Sequence, residues 1–251
     1  MSKVLSIDFD FFQEVDKETL NEYPDGCDLS TKLSEIVWGS RCAKSNPNCE
    51  KILSVQLAKS LYYQMLSILS KQSSDIPVLI AQSHVNIFDF LLDIKDENPE
   101  QPLEIINVDL HHDLFNDNPD LDCGNWLKHI KDMYEDTIIH WIARPISMEC
   151  YAIRDEDKLG KLVETDFSKI KNMQFDAIFI CRSDPWLPPH LDKYFDRLVE
   201  LCASQFNNVR AQNCVLKPRD ISAIMEAEEK LWEDIRRNHN VNSNSTSEQE
   251  T

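Results

Sequence analysis

The stretch IINVDLHHDL, Ile105 to Leu114, opens as an apolar strand and closes on four side chains that are charged or bind metals. Apolar residues run almost without a break from Leu103 to Leu110. That is the pattern of a parallel strand covered on both faces, not the alternation of a half-exposed one. Its end crowds Asp109, His111, His112 and Asp113 together. Close carboxylates repel one another, so packing them is costly unless a positive charge sits between them. A divalent cation is the obvious candidate.

Working outward, four more short apolar runs read as buried strands: Lys3–Phe9, Ile76–Gln82, Thr137–Ala143 and Phe175–Cys181. Helical periodicity fills much of the intervening chain. Cys49–Gln72 carries apolar residues at Leu53, Leu57, Leu61, Met65 and Ile68, Leu187–Phe206 places prolines where a first turn tolerates them, and Pro218–Asn238 is amphipathic. Strand alternating with helix predicts a single three-layer α/β/α domain with a mostly parallel sheet, spanning residues 1–238. The stretch 239–251, apolar only at Val241, is expected to be a disordered tail.

Composition narrows the chemistry. The 251 residues carry a formal charge of −18 and are 42% hydrophobic, enough for a sizeable core. Such acidity argues against nucleic acid, whose phosphates require Lys and Arg, and against an anionic membrane surface. It suits a cationic ligand or metal ions, and equally a merely soluble surface. With only four glycines, neither a Walker loop nor a dinucleotide fingerprint is present. The eight cysteines form no CxxC pair, no cleavable leader follows Met1, and no apolar run is long enough for a span. The expectation is a cytoplasmic protein with reduced thiols.

Polar residues gather where three of the expected strands end, the edge at which open α/β sheets bind ligands. The first strand supplies Asp8 and Asp10, the second His84, and the third Asp109, His111 and Asp113. Alternate residues of an extended segment point the same way, so Asp109, His111 and Asp113 converge while His112 points elsewhere. Taken singly, either N-terminal aspartate reads as a cap and His84 as a core histidine. Together, four carboxylates and two imidazoles suit Mn²⁺ or a similar divalent ion, with charge enough for two. A further polar strand end, Arg182-Ser183-Asp184-Pro185-Trp186, reads either as a capped turn or as a substrate rim. On the second reading Asp184 receives a cation and Trp186 forms a pocket wall.

These motifs carry a resemblance. Asp109-Leu110-His111-His112-Asp113 resembles the DxHxD motif of the arginase/deacetylase superfamily, Ser6–Asp10 its SxDxD, and Ser83-His84 its histidine motif. Asp122-Cys123-Gly124-Asn125-Trp126 resembles the SGN segment with which arginases hold substrate. The chain is most similar to a divergent branch that includes peptide arginases; SxDxD, last in ordinary arginases, comes first here. The resemblance implies an arginase/deacetylase-like fold and two Mn²⁺ ions, with Asp109 and Asp8 bridging, His84 and Asp113 completing one site, and His111 and Asp10 the other. It implies substrate contacts from Cys123 and Asn125. The position two residues after the asparagine, histidine in ordinary arginases, is Leu127, so Asp113, His112 and His129 are the catalytic candidates. The implied activity is hydrolysis of peptidyl arginine to ornithine and urea, with an arginine-containing precursor peptide as partner, in maturation of a ribosomally made peptide. A homo-oligomer is compatible with it. The alternatives are a deacetylase-like metal amidohydrolase, suggested by the adjacent His111 and His112, and a non-catalytic binding protein on the same fold.

Overall fold

The computed structural model describes residues 1–24, 29–115, 118–151, 163–164 and 166–246. In chain order its elements are β1 (Ser2–Asp8), β2 (Gln13–Glu14), α1 (Lys17–Leu20), α2 (Thr31–Cys42), α3 (Cys49–Ser54), β3 (Gln56–Leu57), α4 (Lys59–Leu69), β4 (Pro77–Ala81), α5 (Ile87–Glu97), β5 (Leu103–Val108), α6 (Trp126–Met133), β6 (Ile138–Ile142), α7 (Pro145–Tyr151), β7 (Val163–Glu164), β8 (Ala177–Cys181), α8 (Asp192–Gln205), β9 (Asn208–Ala211) and α9 (Ser222–Thr246). Seven strands form one sheet in the order β7-β6-β5-β1-β8-β4-β9, and every neighbouring pair in it is parallel. All five strands expected from apolar runs are present.

Both faces of the sheet are covered, which is why its strands are apolar without alternation. Leu5, Ile7, Ile106, Val108, Ile178 and Ile180 point into a core shared with α4 and α8, including Met65, Ile68, Phe195 and Leu198. Their chain neighbours Val4, Ile105, Ala177 and Phe179 point the other way, into a core with Phe90 and Leu91 of α5 and Trp126 and Ile130 of α6. Each such side chain contributes about 1.5–3 kcal/mol by leaving water. The result is the three-layer α/β/α architecture.

The order of the strands positions the site. From β1 the chain passes over β8's place to β4 on one side, then crosses to β5 on the other. Connections therefore leave in opposite directions around β1, the switch point that opens a crevice at the carboxyl ends of strands. Register puts Asp8 level with Cys181, Cys181 level with Ala81, and Ile7 level with Val108. The residues following β1, β4, β5 and β8 thus emerge side by side.

Several boundaries differ from the sequence expectation. The helix expected over Cys49–Gln72 is interrupted between α3 and α4, where Gln56 and Leu57 pair antiparallel with Glu14 and Gln13 and the Ala58 N–H donates to the Phe12 carbonyl at 2.6 Å. Val55 and Leu57 are buried there, so core contact and strand pairing outweigh helical propensity. A 3₁₀ turn, Pro189–Leu191, precedes α8, so the helix starts later than Leu187. The terminal helix α9 begins at Ser222 and continues to Thr246, eight residues beyond the expected end at Asn238. The remaining tail, 247–251, lies outside the described residues. Helix α9 packs on α2 at Gly39, where an added Cβ would come within 2.5 Å of the Ile224 side chain. The seven described cysteines are all thiols, and no described helix is long and apolar enough to cross a membrane.

Candidate metal centre

Asp8 is the last residue of β1, and the chain turns at once into a 3₁₀ helix, Phe9–Phe12. Its Oδ1 accepts the Asp10 N–H at 3.1 Å, so the capping reading is correct for this atom. Its Oδ2 remains for the site: it accepts from Ser183 Oγ at 2.9 Å and lies 3.3 Å from His84 Nδ1. Capping and site building are thus divided between the two oxygens of one carboxylate. The turn carries Asp10 inward, where its Oδ2 lies 3.1 Å from His111 Nδ1.

His84 starts a 3₁₀ turn capped by Ser83 after β4. Its Nε2 lies 2.7 Å from Ser6 Oγ, while Nδ1 faces Asp8, Asp109 and Asp113, the last two at 3.1 Å. A proton on Nε2, donated to Ser6, leaves Nδ1 unprotonated toward the carboxylates, the arrangement by which an outer partner orients a metal-binding imidazole.

After Val108 the chain leaves the strand, so alternation along an extended segment is not what makes Asp109, His111 and Asp113 converge. Local bonds do. Asp109 Oδ1 accepts the His111 N–H at 2.8 Å, and the Trp141 indole N–H donates to the Asp109 carbonyl at 3.0 Å. Asp113 takes a left-handed backbone (φ 53°), which turns its Oδ2 back to accept from the Trp126 indole at 2.7 Å and the Asn107 amide at 3.4 Å. Ser183 (φ 56°) is the other described non-glycine residue with positive φ, and both line one pocket. Such conformations cost about 1–3 kcal/mol for most residues and cluster at functional sites.

Five of the six ligand candidates form two overlapping triads, Asp8–His84–Asp109 and Asp10–Asp109–His111, each with its donor atoms within 4.8 Å of one another. Asp109 is common to both. Asp8 belongs to the first, and Asp113 adds a carboxylate beside His84. Asp10 Oδ2, His84 Nδ1 and His111 Nε2 are buried with no hydrogen-bond partner of good geometry. Buried polar atoms are seldom left so. Asp10 Oδ2 and His84 Nδ1 face the cluster, and an O-rich, imidazole-containing set with such unsatisfied atoms fits a divalent cation.

Electrostatics state the same need. Burial, then Asp8 and Asp109, hold the Asp10 carboxyl well above the usual range; burial, then Asp109, do so for Asp113. Burial alone would lower the His84 pKa, but the Asp113 charge and the bonds to Asp109, Asp113 and Asp8 raise it well above the usual value. His111 rises for the same reason, beside Asp10 and Asp109. Burial opposes ionisation of Asp109, yet the bonds from His111 and His84 hold its pKa below the usual range. Burial and carboxylate repulsion thus both disfavour the fully ionised cluster when no cation is present.

A pocket of 340 Å³ opens over the cluster, lined by Asp8, His84, His111 and Asp113 from the centre and walled by Phe115 and Trp186, with Cys123 also in its lining. The Trp186 ring lies 4.6 Å from that of His111, so its expected place in the wall is correct. Other expectations are corrected. Asp184 is fully buried and its carboxylate is taken by the Arg182 guanidinium, with Nη2 at 3.1 Å from Oδ2. It is a structural anion here and does not line the pocket. Asn125 is also absent from the lining: its amide donates to the Asn118 and Asp120 carbonyls and its oxygen accepts the Asp122 N–H. It holds the loop that shapes the pocket. His112 packs on Phe115, and its Nδ1 accepts the Leu114 N–H at 3.0 Å; burial, then the charge of His111, lower its pKa to about 4. His129 sits on α6 against the edge of Phe88, outside the pocket lining, so neither histidine is placed as a shuttle.

Sequence reasoning gave no site role to Ser6, Asn107 or Asp122. Ser6 orients His84, Asn107 donates to two site carboxylates, and Asp122 lines the pocket. The period-2 facing of Ser6 with Asp8 was the available signal for Ser6. No protein-family model, curated protein or solved structure matches the chain.

Proposed function

We propose that the protein is a two-manganese hydrolase of the peptide-arginase kind, converting arginine within a peptide to ornithine and releasing urea. The observation that supports it best is Asp109, a buried carboxylate shared by two adjoining ligand triads at the carboxyl edge of a parallel sheet. Asp8, His84, Asp109 and Asp113 would hold one ion, and Asp10, Asp109 and His111 the other. When bound, two such ions supply hydroxide at neutral pH and offset negative charge developing in the transition state. Four buried carboxylates match the charge of two divalent cations.

The chain's own residues supply the rest. Ser6 holds His84 by its Nε2, Ser183 steadies Asp8, and Trp126 and Asn107 steady Asp113. Phe115 and Trp186 exclude water and offer aromatic faces to a guanidinium. Expulsion of the ornithine amine requires a proton, which an ionised Asp113 would pass on from the attacking water through Oδ1, its Oδ2 being engaged by Trp126. Free arginine would bring an α-carboxylate that needs donors, and the described lining contains no Lys or Arg. Arginine with its carboxylate masked in a peptide bond avoids that cost.

Metal analysis and urea release test the reading together. The expected result is two manganese per chain and urea from an arginine-containing peptide in preference to free arginine, with ornithine seen by mass spectrometry. One zinc with acetate release would favour the deacetylase alternative; neither metal nor product would leave a binding protein.

A further inference from the structure

Among the described lining residues, one carboxylate is not used by the metal cluster. Asp8 and Asp113 belong to the cluster, whose charge two divalent ions would offset; Asp122 stands apart in the described lining. It is held in place from three directions. Its Oδ1 accepts the Gly124 N–H at 2.9 Å, its Oδ2 accepts from Asn118 Nδ2 at 2.8 Å, and its own N–H donates to Asn125 Oδ1 at 2.8 Å. Gly124 keeps this loop close to the wall, because a Cβ there would lie 3.1 Å from the Phe115 ring. A carboxylate has about four lone-pair sites, so two donors leave two for a ligand. No Lys or Arg in the described lining competes for them.

We infer that Asp122 is the specificity-determining carboxylate of the pocket, receiving the positive charge of the substrate side chain between the aromatic faces of Phe115 and Trp186. The inference rests on the hydrolase reading for its substrate class, but it concerns recognition and is tested without turnover. It replaces Asp184, whose carboxylate is committed to Arg182. A planar guanidinium can donate two parallel N–H bonds to one carboxylate, and a neutral urea-type group of the same shape lacks the charge that strengthens them.

The probes are N-acetyl-arginine amide, whose only charge is the guanidinium, and N-acetyl-citrulline amide, its neutral isostere. Binding to the manganese-loaded full chain is read from tryptophan fluorescence immediately on mixing. The wild type is expected to prefer the arginine probe, and Asp122→Asn to bind it about 10- to 100-fold more weakly, the range for a hydrogen-bonded charge. Citrulline binding and the metal count are expected to stay unchanged, and Asp122→Glu to restore part of the preference. Three outcomes would overturn the assignment: no preference in the wild type, an unchanged preference in Asp122→Asn, or an equal loss of both probes, which marks a purely structural role. A wild type that prefers the arginine probe but releases no urea would sink the hydrolase reading and leave Asp122's role standing.

Discussion

Asp109→Ala tests the centre most directly, because one substitution strikes both triads while its neighbours strike one each. Asp109 is fully buried, with Oδ2 3.1 Å from His84 and Oδ1 3.6 Å from His111. The alanine variant leaves each site with its other donors but no shared anion. Even a residue that only orients a metal ligand is worth about 10–100-fold in affinity, so loss of the ligand itself should exceed that at both sites. An ion present at 100 times its dissociation constant stabilises the fold by about 2.7 kcal/mol, which falls to about 0.4 kcal/mol if affinity drops 100-fold. For a chain of this size each kcal/mol moves the melting temperature by about 2–4 °C, so the wild type should gain roughly 5–10 °C per bound ion. The assay is thermal melting with and without Mn²⁺, paired with metal counting after desalting. Asp109→Ala should lose both ions and nearly all of the shift, whereas Asp10→Asn should lose chiefly the ion beside His111. An Asp109→Ala chain that keeps two ions and the full shift would refute a shared-carboxylate centre.

Other consequences are open to direct measurement. Ser6→Ala should weaken metal binding about 10–100-fold by freeing His84 to rotate, and should also cost the metal-free fold about 1–3 kcal/mol by leaving the buried His84 Nε2 without its partner; isothermal titration reads the first, and an unaltered affinity would remove Ser6 from the site. The metal-free protein should lose stability as pH rises. His84 and His111 have folded pKa values raised above the ordinary 6.5, so their contribution is complete below 6.5 and disappears as pH climbs through the raised values. Melting curves across that range, with chelator and then with Mn²⁺, should show a decline only without metal; a metal-free chain that gains stability over this window would contradict the protonated cluster. Arg219→Ala should cost about 3–5 kcal/mol in denaturant unfolding, because Asp192 would be left buried and unpaired and the Asp184 and Leu187 carbonyls would lose a donor. A loss under 1 kcal/mol there would mean water replaces the guanidinium (roughly the worth of an exposed pair).

The sequence alone determined the sheet's five principal strands and all six clustered site residues. A strand buried on both faces must be apolar along its length, and a strand end carrying several acids and imidazoles has few uses other than a cation. Those signals are local and survive without coordinates. The short edge strands β7 and β9 carry little apolar content, and the break between α3 and α4 depends on Phe12, 46 residues before the Ala58 it binds (a contact that no periodicity predicts). Tertiary structure alone decided which polar strand end serves the pocket. Asp184 and Asp122 look equally available as letters. Only in the fold does Arg182 claim the first, sealed under the Ser34, Trp38 and Arg219 donors that fill the Asp184 carbonyl, while the loop tied by Asn118, Gly124 and Asn125 keeps the second in the pocket wall. The reason is that a carboxylate's role depends on which donors reach it: Arg182, two residues from Asp184, is itself fixed by the distant Cys214 and Lys217 carbonyls, whereas Asp122 is held by its own loop.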